Sequence, residues 1–237
     1  MTDDLLAGIT AVVFDFYGTL TPVSPERSWF DNGARIAAVM GVPAEGLLEV
    51  LAETFPERIS GSLGGVRQTM AEMACRLNVE LSEAQLDEVA RLRRETQEQM
   101  FALRPEAVTV ISELRARGLK IGLVSDCTSE LPDAWARLPL APIVDAPVFS
   151  CVERTRKPDP RLFATVAARL QTDPAQILYI GDGGGNELAG ASAAGMRAVH
   201  LAGPDWHRDG THERWRPEFS WTGPVLSSLT ELVPLAA

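Results

Sequence analysis

Short runs of apolar residues alternate with amphipathic segments along most of the chain. Five runs rich in Val, Ile and Leu predict buried strands, at residues 9–16, 119–126, 146–151, 176–182 and 196–203. Segments with apolar residues at helical intervals lie among them, at residues 105–118, 159–171 and 186–195. Strands that alternate with helices indicate βαβ units, which predicts an α/β fold with a parallel sheet covered by helices on both faces.

The segment from residue 21 to residue 102 has helical periodicity and no strand-like run. ARIAAVMGV, EGLLEVLAETF, VRQTMAEMACRLNV and SEAQLDEVARLRRETQEQM each repeat apolar residues every three or four positions. Ser82 and Gln85 predict a capping box in the last of these helices. The prolines near the ends of the segment, predicted to lie at hinges, are Pro22, Pro25 and Pro105. We therefore predict an all-helical cap domain (21–102) inserted into a Rossmann-like core domain (1–20 and 103–237).

Composition and charge narrow the class of protein. With 237 residues, 46% of them hydrophobic, the chain is large enough to bury a core. It contains no run of about 18 apolar residues and begins with the acidic MTDD, so we expect a cytoplasmic protein with no membrane partner. The net charge of −10 argues against nucleic acid as a partner. The three cysteines, expected to be buried free thiols, are Cys75, Cys127 and Cys151.

Polar side chains follow three of the predicted strands at the point where each strand ends. They are Asp15 after the first, Ser125 and Asp126 after the second, and Asp182 and Glu187 after the fourth. Lys157, one of only two lysines among the 22 basic residues, precedes a proline-initiated helix. Because the carboxyl ends of parallel strands meet at one edge of a sheet, we expect these groups to surround one crevice.

In this order, DFYGT, LVSD, RKPDP and GDGGGNE resemble the four motifs of the haloacid dehalogenase-like (HAD) hydrolase superfamily. The resemblance covers nearly the whole chain, including a helical cap between the first and second motifs. It implies that Asp15 is a nucleophile and that Mg²⁺ is bound by Asp15, the Tyr17 carbonyl and Asp182. It also implies a set of catalytic and substrate-binding residues: Asp15, Tyr17, Gly18, Thr19, Ser125, Asp126 and Lys157.

Some of these residues have a second interpretation from the sequence. Asp126 is also a candidate helix cap or support for the metal site. Glu187 either braces Lys157, contacts metal-bound water, or simply begins a helix. The glycines at 183–185 are expected to form a turn. The histidines, to which we assign no catalytic role, are His200, His207 and His212, and the tryptophans expected to pack are Trp206, Trp215 and Trp221.

Tyr17 departs from the phosphatase pattern. Phosphatases similar in their motifs usually carry a second aspartate there, which protonates the leaving alcohol, whereas a phenol with a pKa near 10 is a poor base at neutral pH. Tyrosine at this position resembles the L-2-haloacid dehalogenase branch, whose leaving halide needs no proton. Asp182 and Gly184 differ from the Ser and Asn of that branch, and Phe163 replaces its tyrosine.

Three hypotheses follow for the function. The first is a Mg²⁺-dependent phosphatase that acts on a small phosphorylated metabolite through an aspartyl-phosphate intermediate, with Glu57 of the cap as a candidate replacement acid. The second is a metal-independent L-2-haloacid dehalogenase-type hydrolase with an aspartyl ester intermediate. The third is a catalytically weak homologue that binds a phosphorylated ligand. The sequence identifies neither the substrate nor the oligomeric state.

Overall fold

The computed structural model describes residues 5–23, 26–206 and 220–233, and only the backbone for residues 26–30. Several residues discussed above therefore lie outside the described side chains: Pro25, His207, His212 and Trp215.

Six parallel strands form one sheet in the order β3-β2-β1-β4-β5-β6. Their bounds are β1 Ala11–Phe14, β2 Lys120–Ser125, β3 Ala146–Phe149, β4 Ile177–Gly181, β5 Arg197–Leu201 and β6 Val225–Leu226. The predicted α/β parallel sheet is thus confirmed. Each predicted strand is somewhat longer than the observed one, and the two-residue β6 was not predicted.

Ten α-helices are present in the described part of the chain. The first five lie between residues 26 and 99: α1 Glu26–Met40, α2 Ala44–Glu53, α3 Phe55–Ile59, α4 Val66–Arg76 and α5 Glu83–Gln99. The other five are α6 Ala107–Ala116, α7 Glu130–Ala134, α8 Ser150–Glu153, α9 Pro160–Leu170 and α10 Glu187–Ala193. The predicted strand at 146–151 ends early because α8 begins at Ser150.

The sheet is buried on both faces. Val12 and Phe14 of β1 pack into one hydrophobic cluster, and Ala11 and Val13 pack into a second cluster on the opposite face. This alternation explains why the strand is apolar throughout. In β2, a Cβ on Gly122 would lie 2.8 Å from Cγ2 of Val166, so the absence of a side chain there lets α9 pack directly on the sheet.

The first five helices, α1 to α5, are here called the helical insertion (residues 26–99) and have a hydrophobic cluster of their own. Ile36, Leu47, Met70 and Val89 are among its fully buried members. The predicted capping box of α5 is confirmed, because the Ser82 hydroxyl and the Gln85 side chain each accept a hydrogen bond from the other residue's backbone N–H. The division into a core domain (1–20 and 103–237) and a cap domain (21–102) stays a prediction.

The cysteines differ from one another in exposure. All three are free thiols, but Cys75 is exposed on α4 and Cys151 is half-buried, so the prediction of buried thiols is correct only for Cys127. The sulfur atoms of Cys127 and Cys151 lie 4.0 Å apart. No helix of the described residues has the length and apolar character needed to cross a bilayer.

Candidate active site

Asp15 lies at the carboxyl end of β1, the central strand, and its side chain is buried. Its backbone N–H continues the pairing with β4 by donating to the Ile180 carbonyl at 2.9 Å. Its two carboxylate oxygens have different partners. Oδ1 accepts from Lys157 Nζ at 2.6 Å, and Oδ2 accepts from the Thr19 hydroxyl at 3.1 Å. The carboxylate is therefore held in one orientation by groups from two distant segments.

Lys157 joins the nucleophile candidate to a second buried carboxylate. Its ammonium group contacts both Asp15 and Glu187. Although burial alone would lower it, the charges of Asp15 and Glu187 raise the pKa of Lys157 well above its ordinary value. The Lys157 backbone N–H donates to Asp126 Oδ1 at 2.9 Å. Asp126 therefore positions the lysine segment, and it does not cap α7, whose N-cap is Ser129.

Glu187 is fully buried beneath this lysine. Oε2 accepts from the Tyr179 hydroxyl at 2.8 Å and from Lys157, while Oε1 accepts from the Gly183 N–H at 2.9 Å. A Cβ on Gly181 would lie 2.1 Å from Oε1, so only glycine leaves room for this carboxylate. Tyr179 was not identified from the sequence, because it is part of an apolar strand.

Three carboxylates converge at the ends of β1 and β4. Asp15, Asp182 and Glu187 each place an oxygen within 4.8 Å of the others, and all three are buried. Burial raises the pKa of Asp15 to about 6, with Asp182 adding to the effect and Lys157 opposing it. Burial and then the charge of Asp15 raise the pKa of Glu187 to about 8. Such crowding of hard oxygen ligands suits a divalent cation, which would favour the ionised carboxylates.

Asp182 is fixed from several sides. The Gly184 N–H donates to Oδ1 at 2.9 Å, and the Trp206 indole N–H donates to the Asp182 carbonyl at 2.9 Å. Trp206 also packs edge-to-face on His200, with ring centroids 4.7 Å apart, so the packing role expected for this tryptophan includes support of the site. In place of a simple turn at 183–185, the chain bends at Gly183, which has a positive φ of 92°, and then forms a single 3-10 turn at Gly184–Asn186.

Arg104 supports the loop after β1 and was missed by the sequence analysis. Its Nε donates to the Thr19 carbonyl at 2.9 Å, and Nη2 donates to the Gly18 carbonyl at 3.0 Å. Asp205 pairs with the same guanidinium at 2.9 Å. Among the described residues, no donor contacts the carbonyl of Tyr17, which lies in the same loop. The loop thus leaves available the one carbonyl that the family resemblance assigns to the metal.

The Ser125 hydroxyl, at the end of β2, is a buried polar atom without a hydrogen-bond partner in the described structure. The residue is fully buried, and β2 pairs directly with β1, so Ser125 lies beside the strand end that carries Asp15. A buried hydroxyl without a partner costs free energy unless a ligand or water satisfies it. This orphaned donor is therefore suited to an oxygen of a bound anion.

The Tyr17 side chain turns toward the hydrophobic core. Its ring packs edge-to-face on Phe16, with centroids 4.9 Å apart. Burial, followed by the nearby Cys127 and Glu130, raises the pKa of the Tyr17 phenol well above its ordinary value. The phenol therefore stays protonated and cannot act as a general base at neutral pH.

Glu57, the candidate acid from the helical insertion, is half-buried, with 42% of its side chain exposed, and is paired with Arg76 at 2.7 Å. The hydrogen bond from Arg76 lowers the pKa of Glu57. A carboxylate held ionised on the surface is a poor proton donor, and this geometry argues against the role suggested from the sequence.

Comparisons with known proteins show similarity in sequence and in fold. Phosphatase MT3486 from Mycobacterium tuberculosis (strain CDC 1551 / Oshkosh) is 30% identical over 215 residues, which are 85% of this chain and 91% of that protein. The crystal structure of a 2-haloacid dehalogenase from Pseudomonas syringae pv. Tomato DC3000 has a TM-score of 0.68 and 24% identity, over 94% of this chain and 96% of that one.

A HAD family enzyme from Bacteroides thetaiotaomicron, solved in complex with magnesium and inorganic phosphate, has a TM-score of 0.64 at 14% identity, over 86% of this chain and 98% of that one. The family model for haloacid dehalogenase-like hydrolases matches residues 9–195. With the motif residues assembled at one edge of the sheet, the chain belongs to the haloacid dehalogenase-like hydrolase family.

Proposed function

We propose that the protein is a Mg²⁺-dependent phosphatase that hydrolyses a small phosphorylated metabolite through an aspartyl phosphate on Asp15. The observation that carries this proposal is the convergence of Asp15, Asp182 and Glu187 beside a buried lysine. Three acids and one ammonium leave an excess of negative charge, which a divalent cation would balance. The cytoplasmic location expected from the sequence is part of this proposal.

Mg²⁺ would be held by Asp15, Asp182 and the Tyr17 carbonyl. When bound, it would supply positive charge to the phosphoryl oxygens and reduce their repulsion of the attacking carboxylate. Glu187 lies within reach of the same point, but its oxygens already accept from Lys157, Tyr179 and Gly183. We therefore assign Glu187 to the positioning of Lys157.

Four protein side chains have roles in the phosphoryl transfer. Asp15 Oδ1 attacks phosphorus, the bond between phosphorus and the leaving oxygen breaks, and water later hydrolyses the aspartyl phosphate. Thr19 holds the second oxygen of Asp15, while Lys157 keeps the carboxylate ionised and attracts the phosphoryl group. Ser125 supplies its unpartnered hydroxyl to a phosphoryl oxygen.

Tyr17 restricts the choice of leaving group. Because its phenol has a pKa raised well above the ordinary value and stays protonated, it does not take the place of the aspartate that activates water and protonates an alcohol. Substrates whose leaving groups need little protonation, such as aryl and acyl phosphates, are therefore favoured over alkyl phosphates.

The test is release of phosphate from an aryl phosphate by the purified protein. Turnover should require Mg²⁺, stop with EDTA and return when Mg²⁺ is restored. Asp15→Asn should abolish it, whereas Asp133→Asn, which changes an exposed acid of α7, should not. Phosphate release that is unaffected by EDTA, or that survives in Asp15→Asn, would contradict the proposal.

Tyr17 also favours a second candidate function, that of an L-2-haloacid dehalogenase-type hydrolase. In that reaction Asp15 would displace halide and form an ester, and no acid is needed for the leaving group. The buried carboxylate of Asp182 opposes this candidate, because it would repel the carboxylate of a haloacid. Chloride release from L-2-chloropropionate without metal would support the dehalogenase and count against the phosphatase.

A further inference from the structure

Two cysteine thiols lie in contact beyond the carboxyl ends of neighbouring strands. The sulfur atoms of Cys127 and Cys151 are 4.0 Å apart. Ser125 at the end of β2 pairs with Phe149 at the end of β3, and each cysteine is two residues beyond its member of that pair. Because paired parallel strands end side by side, the sheet itself brings the two thiols together.

The backbone around this contact is also tied together. The Cys127 N–H donates to the Ser150 hydroxyl at 2.9 Å, and the same hydroxyl donates to the Cys127 carbonyl at 3.3 Å. Ser150 is fully buried and directly precedes Cys151. The folded chain therefore holds the two thiols near each other through the Ser150 side chain as well as through the sulfur contact.

The two thiols differ in their access to solvent. Cys127 is 2% exposed and belongs to the hydrophobic cluster on one face of the sheet, whereas Cys151 is half-buried and packs against that cluster. A dissolved oxidant therefore reaches Cys151 first. The hydrogen bond with Cys127 also lowers the pKa of the Cys151 thiol, and the thiolate is the form that reacts with oxidants.

A bond between the sulfurs would displace the segments that carry them. Bonded sulfurs lie about 2 Å apart, so the pair must close by about 2 Å from its separation of 4.0 Å. Cys127 directly follows Asp126, whose carboxylate accepts from the Lys157 N–H at 2.9 Å. The Cys151 carbonyl lies against the helical insertion, because a Cβ on Gly61 would be 2.0 Å from its oxygen. Movement of either cysteine thus reaches a segment of the candidate active site or of the insertion.

We propose that Cys127 and Cys151 form a modification site, at which a hydroperoxide converts the two thiols into a disulfide bond that displaces the loop after β2. This loop follows Ser125 and contains Asp126, two residues already placed in the candidate active site. In a reducing compartment such a bond is transient and serves to sense oxidation. The modification does not depend on the proposed phosphatase function, whereas its effect on turnover does.

The proposed oxidation has two steps. In the first, the Cys151 thiolate attacks one oxygen of hydrogen peroxide, the O–O bond breaks, and a sulfenic acid and hydroxide are formed. In the second, the Cys127 thiol attacks the sulfenic sulfur, the S–O bond breaks, and the hydroxyl group leaves as water with the Cys127 proton. The hydroxide takes up the proton that Cys151 released. The two sulfurs together lose two electrons, and the peroxide is reduced to two molecules of water.

A packing role for the two thiols makes a different prediction. Buried cysteines that only fill space are inert, so peroxide would modify Cys75, which is exposed on α4, and would spare Cys127 and Cys151. The proposed site predicts instead that Cys127 and Cys151 are lost together and at least as fast as Cys75. The third cysteine is therefore an internal control in the same molecule.

The test is treatment of the reduced protein with hydrogen peroxide, followed by alkylation, complete digestion with trypsin and mass spectrometry. The peptides that carry the cysteines are 68–76 with Cys75, 121–137 with Cys127 and 138–154 with Cys151. Peroxide is raised until either the pair or Cys75 has reacted. The expected product is peptide 121–137 joined to peptide 138–154, with the free thiols of the denatured protein falling from three to one and returning to three with dithiothreitol. Oxidation of Cys75 while the other two thiols stay unlinked would overturn the proposal.

Three serine variants test the role of each thiol. Cys75→Ser should form the same disulfide as the unmodified protein. Cys127→Ser should stop at the sulfenic acid of Cys151, which dimedone traps, whereas Cys151→Ser should keep Cys127 as a thiol. A Cys75→Ser protein in which peroxide joins two chains, and not two cysteines of one chain, would also overturn the proposal.

Turnover separates this inference from the proposed function. The disulfide-bonded protein should hydrolyse an aryl phosphate about 10²-fold more slowly, as expected for catalytic groups misplaced by about 1 Å, and dithiothreitol should restore the rate. Unchanged turnover in the fully linked protein would refute the displacement of the loop. If the disulfide forms but the reduced protein hydrolyses no phosphate ester, the modification site stands and the phosphatase function fails. If the reduced protein is active and the thiols stay unlinked, the phosphatase function stands and the modification site fails.

Discussion

Replacing Gly18 with alanine tests whether Asp182 takes part in the reaction, because this glycine lies directly against its carboxylate. A Cβ at position 18 would be 2.2 Å from Asp182 Oδ2. The backbone φ at Gly18 is +77°, and Gly8 and Gly118 have similar values of +74° and +84°. A Cβ at either of these two would meet nothing within 4 Å. The three substitutions thus share the backbone strain and differ in the collision with Asp182.

The expected magnitudes follow from these distances. A positive φ costs a residue with a side chain roughly 1–2 kcal/mol, so all three variants should lose about that much free energy of unfolding. To reach an ordinary contact of 3.4 Å, the Asp182 carboxylate must also retreat from the new Cβ. The required movement is about 1 Å, and a misplacement of that size costs about 10²-fold in rate. Only Gly18→Ala should show this loss.

The assays are urea unfolding, phosphate release from an aryl phosphate, and calorimetric titration with Mg²⁺. Gly18→Ala should bind Mg²⁺ more weakly and lose about two orders of magnitude in kcat/KM, whereas Gly8→Ala and Gly118→Ala should retain both. If Gly18→Ala loses no more activity than the two control variants and binds Mg²⁺ equally well, Asp182 is not a metal ligand and the reasoning is refuted.

Four further substitutions test other parts of the site and fold. Tyr17→Asp should raise kcat/KM for alkyl phosphates by about 10²–10⁴-fold, because it supplies an acid and base; no gain would show that Tyr17 has another task. Above pH 8, where Glu187 is ionised, Glu187→Gln should lower the free energy of unfolding by about 3 kcal/mol, since Lys157 loses one of two buried anionic partners; a loss below about 1 kcal/mol in urea unfolding at that pH would contradict the pairing. Arg104→Met should cost about 3 kcal/mol by the same measurement, because it leaves two loop carbonyls without donors, and should reduce phosphate release; unchanged turnover would show that the loop holds itself. Ser82→Ala should cost about 1 kcal/mol through the capping box, with activity unchanged; a loss of activity would show that the insertion couples to the site.

The sequence was most informative for polar residues that directly follow a predicted strand. Asp15, Ser125 and Asp182 were identifiable because each follows a buried run, and the topology of a parallel sheet brings such positions to one edge. Arg104 was not identifiable, because its partners at Gly18 and Thr19 are far away in the chain and an arginine beside a proline resembles an ordinary surface residue. Contacts of this kind depend on tertiary packing, which periodicity does not encode.

The sequence also did not predict which side chains of a short helix face the interior. In FPERI, Glu57 is a candidate acid from the sequence, yet its side chain is 42% exposed and paired on the surface, and the neighbouring Arg58 is the buried residue. Successive residues on a helix point about 100° apart, so a one-residue difference decides which side chain faces inward. A five-residue helix has too few apolar positions to reveal that direction.

The central position of β1 has a consequence for the way in which the protein is made. Its neighbours are β2 and β4, whose first residues, at positions 120 and 177, both pair with position 11. During synthesis both edges of the first strand therefore stay unpaired until β2 has left the ribosome, and the second edge stays unpaired until β4 has followed. The helical insertion, whose contacts are local, has time to fold before it. Because Asp15, the proposed nucleophile, follows β1, any catalytic competence would appear only when the last of these partners has emerged.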